Sequence, residues 1–188
     1  SDHESEISSI IYDYGFSTSF SKESLRFLKS LSLKISSSEI KKRIDVRDIA
    51  TFTIDPKEAK DFDDALSVKK INSKSWEIGV HIADVSHFVP EGSAIDKDAY
   101  KRGTSVYLVD RVLPMLPELL SNDLCSLKPN VDRLTFSVFF EMNEKAEVIN
   151  YKIGKSVIHS DYRFTYEKAE EIIVNNSGSF LSELSLLN

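Results

Sequence analysis

The chain has 188 residues, 41% of them hydrophobic, which suits one well-filled domain or a domain with a short appendage and excludes a disordered protein. With 30 acidic against 24 basic residues and a formal charge of −6, it lacks the whole-chain basic footprint of a nucleic-acid binder, so any such contact must be local or metal-mediated. The single cysteine, Cys125, excludes an internal disulfide, and no stretch has the apolar length of a membrane span or the layout of a secretory signal, which makes a reducing cytoplasm the expected compartment.

Residues 1–42 read as a helical connector. Ile7, Ile10 and Ile11 fall on one helical face before Gly15 breaks the pattern. Ser21 has the position of an N-cap for a helix that aligns Leu25, Leu28 and Leu31, and Ser36 stands at capping-box spacing from Glu39. From Asp45 the texture changes to strands. Residues 65–69 and 76–85 flank Asn72-Ser73-Lys74 as a hairpin whose second arm places Trp76, Ile78, Val80 and Ile82 on one face. A helix follows, with Pro90 leading in, Ser93 and Asp96 at its start and Gly103 as its stop. Residues 135–142 and 146–153 form a second hairpin across Asn143-Glu144-Lys145, and a further helix begins near Thr165 and runs through Ile172 and Ile173. The fold class is therefore α+β: a mixed, mostly antiparallel sheet with flanking helices. The start without Met and the apolar helical run 180–187 at the end are those expected of a piece cut from a longer protein.

The most informative stretch is Thr51 to Leu66, where Asp55, Asp61, Asp63 and Asp64 fall within ten residues just ahead of an apolar strand. Crowded carboxylates repel, which raises their pKa values unless positive charge compensates. A hard divalent cation is the simplest compensation, because Mg²⁺ and Mn²⁺ prefer oxygen ligands, and Mg²⁺ is commonly held by one or two carboxylates with waters and a phosphate. Aspartates also cap turns. An EF-hand would need Gly at the sixth position and Glu at the twelfth, where counting from Asp61 finds Leu66 and Asn72. By spacing alone, phosphatases, nucleases and other phosphoryl-transfer enzymes remain open.

The wording of several segments narrows the field. Arg43-Ile44-Asp45-Val46-Arg47-Asp48, the stretch Phe52 to Ala65, and Gly79-Val80-His81-Ile82-Ala83-Asp84-Val85-Ser86-His87-Phe88-Val89 resemble the catalytic RNB domain of the RNase II/RNase R exoribonuclease family. So do Arg102 to Leu108, Pro114-Met115-Leu116-Pro117-Glu118 and Leu120 to Leu127, in the same order, with a wording nearer the bacterial RNase R branch. The resemblance implies that residues 43–188 are the N-terminal part of an RNB domain. The activity it implies is a Mg²⁺-dependent hydrolytic 3′-to-5′ exoribonuclease on single-stranded RNA, releasing nucleoside 5′-monophosphates. It implies that Asp55, Asp61, Asp63 and Asp64 form the family's metal-binding and hydrolytic cluster, with Asp55 and Asp64 as direct metal ligands, Asp63 as the carboxylate most critical to the chemical step, and Asp61 beside it as a support for the metal or its waters. It further implies that Tyr107 contacts RNA near its 3′ end and that Tyr166 helps hold the terminal nucleotide, since an aromatic face stacks on any base.

Without the resemblance, both tyrosines read as sheet or core residues. His81 and His87 lack Cys/His partners at zinc spacing and read as structural. Cys125 has no adjacent base and reads as a small buried residue. Asp84 reads as a turn cap, Pro114 and Pro117 as fixing a loop path, and the pairs Phe139-Phe140 and Ile172-Ile173 as core. The family's remaining catalytic half, with a basic side chain near the scissile phosphate, and its OB-fold RNA-guiding modules are expected elsewhere in the parent chain, so the 188 residues alone should be weak or inactive. Two other readings stand beside this one: a non-catalytic RNA-binding module on the same fold, and a calcium-stabilised structural module.

Overall fold

The computed structural model describes the backbone of residues 2–188 and the side chains of residues 4–188. The helices are α1 (Asp2–Asp13), α2 (Lys22–Ser30), α3 (Ser37–Ile40), α4 (Val85–Phe88), α5 (Ala94–Arg102), α6 (Tyr166–Asn175) and α7 (Leu181–Leu187). The strands are β1 (Ile44–Asp45), β2 (Thr51–Asp55), β3 (Asp64–Lys70), β4 (Ser75–Ala83), β5 (Val106–Tyr107), β6 (Val112–Leu113), β7 (Asp132–Asn143), β8 (Val148–His159) and β9 (Tyr162–Thr165). They fall into two compact units, one combining the chain up to Leu33 with Val85–Ser121, the other combining Lys34–Asp84 with Asn122–Asn188.

In the first unit, α1 buries Ile7 and Ile11 against Leu113, with Phe16, Val106 and Leu108 around them. Ile10, expected on the same face, is 41% exposed. Ser21 caps α2 as its position predicts, its hydroxyl accepting from Ser24 N. The buried residue of α2 is Ser24 rather than the leucine stripe, because Asp98 of α5 accepts from Ser21 N at 2.8 Å and from the Ser24 hydroxyl at 2.7 Å. Ser93 caps α5 and Gly103, at φ 73°, ends it. Arg102 ties the segment before α2 to α5 by donating to the carbonyls of Ser17 and Ser19.

The second unit holds a sheet in the order β1-β8-β7-β4-β3-β2-β9, antiparallel except where β1 runs parallel to β8 and β2 runs parallel to β9. Both predicted hairpins form, β3–β4 and β7–β8, the second extending well beyond its expected arms. Asn143 closes that turn by accepting from the backbone N–H groups of Lys145 and Glu147. The register sorts side chains by face. One face carries Phe52, Ile54, Leu66 and Phe164, and α6 and α7 cover this part with Ala169, Ile172 and Leu184. Farther along the same face, Ile82, Phe136, Ile153 and Tyr151 stand 48–62% exposed.

The opposite face is buried yet polar. Ser67, His81, Thr135, Ser137 and Ser156 are all within 2% of full burial. His81 bridges the Ser137 hydroxyl through Nδ1 at 2.7 Å and the Ser67 hydroxyl through Nε2 at 2.9 Å. Burial pushes its pKa down to about 4, so the ring is a neutral structural link. Gly79 makes the link possible, because a Cβ there would collide with the Ser67 hydroxyl and sit 2.6 Å from His81 Nε2.

Urea unfolding of single variants tests this division of faces. Phe52→Ala should cost about 3–5 kcal/mol as a core truncation. Gly79→Ala should also destabilise, through overpacking by about 1–3 kcal/mol. Ile153→Thr, on the exposed stretch, should stay within about 0.5 kcal/mol of wild type.

Candidate active site

The antiparallel pairing of Thr51 with Ser67 and of Phe52 with Leu66 brings the end of β2 and the start of β3 to one edge of the sheet. Asp55 closes β2 and Asp64 opens β3, so the connection 56–63 carries Asp61 and Asp63 at that same edge. Phe62 between them is 8% exposed and plugs into the protein, which leaves Asp61 half-buried and Asp63 and Asp64 exposed. The connection is then tied by its backbone. Ser126 Oγ accepts from Phe62 N at 3.1 Å and donates to Lys60 O at 2.8 Å, Leu127 N donates to Phe62 O at 2.8 Å, and Ala83 N donates to Asp63 O at 2.9 Å. On the other side, Arg163 donates to the carbonyls of Pro56 and Lys57.

The electrostatics follow from this crowding. Loss of water raises the Asp63 pKa first, and the charges of Asp61, Asp64 and Asp55 raise it further, although the residue stands at the surface. Asp55 is 8% exposed; burial raises its pKa first, the nearby Thr53 hydroxyl lowers it, Asp64 and Asp61 add to the rise, and Arg163 opposes them. Its Oδ2 is buried with no hydrogen-bond partner among the described residues. A buried carboxylate oxygen without a hydrogen-bond partner, beside further carboxylates, fits a divalent cation. Among the described residues no three His, Cys, Asp or Glu side chains converge tightly enough to cage an ion unaided.

Tyr166 stands at the same edge, since Asp55 pairs with Thr165, and Tyr166, the next residue and the first of α6, is 58% exposed. Tyr107 is 70% exposed on β5 of the other unit. Cys125 is buried and its thiol is pushed up to about 12, first by desolvation and then by Asp63, which leaves it no nucleophile. Asp84 directly follows the end of β4, as the sequence suggests. It is buried and pairs with the equally buried Arg43 at 2.7 Å, while the Arg43 guanidinium also reaches Thr135 O and Ser156 O. Ser126 and Arg163 were singled out by no spacing, because they meet the loop from 64 and 107 positions away.

Comparison with known proteins places the chain among relatives. The sequence profile described as the RNB domain matches residues 43–184. Ribonuclease R 2 of Lactococcus lactis is 49% identical over 154 residues, covering 82% of this chain and 23% of that relative. The chain thus spans about a quarter of the curated relatives it matches or less. A solved structure of Mycoplasma genitalium RNase R with double-stranded RNA superposes with a TM-score of 0.84 at 32% identity, over 95% of this chain and 32% of that one. A structure of yeast Ssd1, described as a pseudonuclease, superposes with a TM-score of 0.69 at 25% identity over 81% of this chain and 19% of that one.

The raised carboxyls make a stability prediction with a definite sign. A folded-state pKa above the ordinary value of 3.8 means that stability is fully present below that value and is lost as pH rises through the raised one. Asp63→Asn should therefore melt higher than wild type at pH 7 without divalent cation, and the difference should vanish below about pH 3.5. Thermal melts at the two pH values read the sign directly.

Proposed function

Because the chain belongs to the RNB domain family, we propose that it forms the front part of the catalytic domain of a hydrolytic 3′-to-5′ exoribonuclease that acts on single-stranded RNA and releases nucleoside 5′-monophosphates. The observation that carries this reading is that Asp55 ends β2, Asp64 opens β3 and Asp61 and Asp63 lie on the tethered connection between them, with a buried Asp55 oxygen that has no hydrogen-bond partner among the described residues. Asp55 and Asp64 hold Mg²⁺, for which Mn²⁺ can substitute, and Asp61 orders its water shell. When bound, the cation neutralises charge on the scissile phosphate and makes water a better nucleophile. Asp63, whose basicity is raised by desolvation and then by the neighbouring charges, orients the attacking water and accepts its proton. Attack in line on the phosphorus breaks the bond to the 3′ oxygen of the preceding nucleotide, which leaves the 5′-phosphate on the released one.

Tyr166, at the mouth of this edge, holds the terminal nucleotide, and Tyr107 contacts the RNA near its 3′ end; exposed aromatic faces accept any base. An acidic chain that binds RNA relies on the cation here and on OB-fold modules elsewhere in the parent. The cytoplasm is the compartment proposed for it. No described helix is long and apolar enough to cross a membrane.

The likeness to a pseudonuclease favours a second reading, a non-catalytic RNA-binding module. A pure binder, however, gains nothing from four mutually repelling carboxylates. Incubation of 5′-labelled single-stranded RNA with the full-length protein separates the two. Shortening from the 3′ end should require Mg²⁺ and fall about 10²–10⁴-fold in rate in Asp63→Asn while RNA binding persists. Binding without cleavage by the wild type at any Mg²⁺ concentration establishes the second reading. The isolated 188 residues should cleave far more slowly than the full-length protein.

A further inference from the structure

We infer that Arg163 is the positioning residue of the aspartate connection: it clamps the loop between Asp55 and Asp61 into the shape that lets the carboxylates share a cation. The inference rests on the metal reading of the preceding subsection and adds a residue to it. Arg163 enters from β9, whose parallel register sets Thr53 opposite Arg163 and Asp55 opposite Thr165. The guanidinium donates to Lys57 O at 3.0 Å and to Pro56 O, the two carbonyls just after Asp55. It also lies 5.3 Å from the centre of the Phe62 ring, the plug between Asp61 and Asp63. One side chain thus grips both ends of the connection.

The grip uses the guanidinium twice, as a donor and as a cation over a ring. Its Nη2 alone donates to two successive carbonyls while the guanidinium lies over the aromatic ring, and its charge faces a site crowded with negative charge. Its Nε is buried and unpartnered, on the same sheet face as the unpartnered Thr53 Oγ and Asp55 Oδ2. Ser126 and Leu127 secure the far end of the loop, at Lys60 and Phe62, so Arg163 is the side-chain tie found at its near end. Residues that orient metal ligands without touching the ion change metal affinity about 10–100-fold when removed.

The test uses the full-length protein as wild type, Arg163→Ala, Arg163→Lys and Phe62→Leu. The first readout is the Mg²⁺ concentration that half-saturates the rise in melting temperature. The second, in EDTA, is tryptic cleavage after the exposed Lys57 and Lys60 relative to cleavage after Lys145 in the distant hairpin turn. Arg163→Ala should raise the half-saturating Mg²⁺ about tenfold or more and accelerate cleavage at Lys57 and Lys60 selectively. Arg163→Lys should recover part of both, and Phe62→Leu, which keeps an apolar plug but loses the ring face, should shift both in the Arg163→Ala direction. If Arg163→Ala leaves either readout at the wild-type value, or accelerates Lys145 cleavage equally, the residue is merely structural and the inference fails. A wild type whose melting does not respond to Mg²⁺ overturns the metal reading itself, and the inference with it.

Discussion

Four carboxylates on one short connection repel one another, and the fold around them is organised to hold that repulsion in place. A typical hydrogen bond returns only about 1 kcal/mol. No single tether holds such a loop. The protein uses several: Ser126 and Leu127 at Lys60 and Phe62, Ala83 at Asp63, Arg163 at Pro56 and Lys57, and the buried Phe62 ring as a plug. The tethers fix geometry while the charge remains for a ligand to neutralise, which is the arrangement a site for a cation and a phosphate ester requires.

The sheet behind the loop explains how the tethers are placed. Its central strands are joined by tight hairpins, yet the strands that flank the site, β2 and β9, meet through a parallel pairing of distant segments. That pairing delivers Arg163 and Tyr166 to the aspartate edge. Behind it, one face is locked by hydroxyls and a neutral histidine, with Arg43 and Asp84 as a buried ion pair at its border. A satisfied polar network of this kind favours one register over its slips, because a shift by one residue would strand each hydroxyl.

Local signals carried much of this architecture in the sequence. Ser21, Ser36, Ser93 and Thr165 all cap the helices they precede, and the turns at 72–74 and 143–147 join the strands that alternation predicts. Capping and hairpin turns are decided within a few residues, so they are visible along the chain. The parallel pairs β1–β8 and β2–β9 are not, because nothing near Thr51 specifies Tyr162. The leucine stripe of α2 misled for a similar reason: Asp98, far along the chain, pulls Ser24 inward. At the site, the four aspartates were legible as a charge anomaly and through family wording. Their ties to Ser126 and Arg163 were hidden in contacts across 64 to 107 residues. The ion pair of Asp84 with Arg43 was hidden in the same way.

The central claim is that the aspartate edge is a divalent-cation site, and direct binding of Mn²⁺ to the full-length protein tests it without reference to catalysis. Free Mn²⁺ followed by electron paramagnetic resonance should be depleted by the wild type and by Asp48→Asn, and the depletion should be lost when Asp55 and Asp64 are both changed to Asn. Depletion that survives the double change, or none by the wild type, would contradict the account.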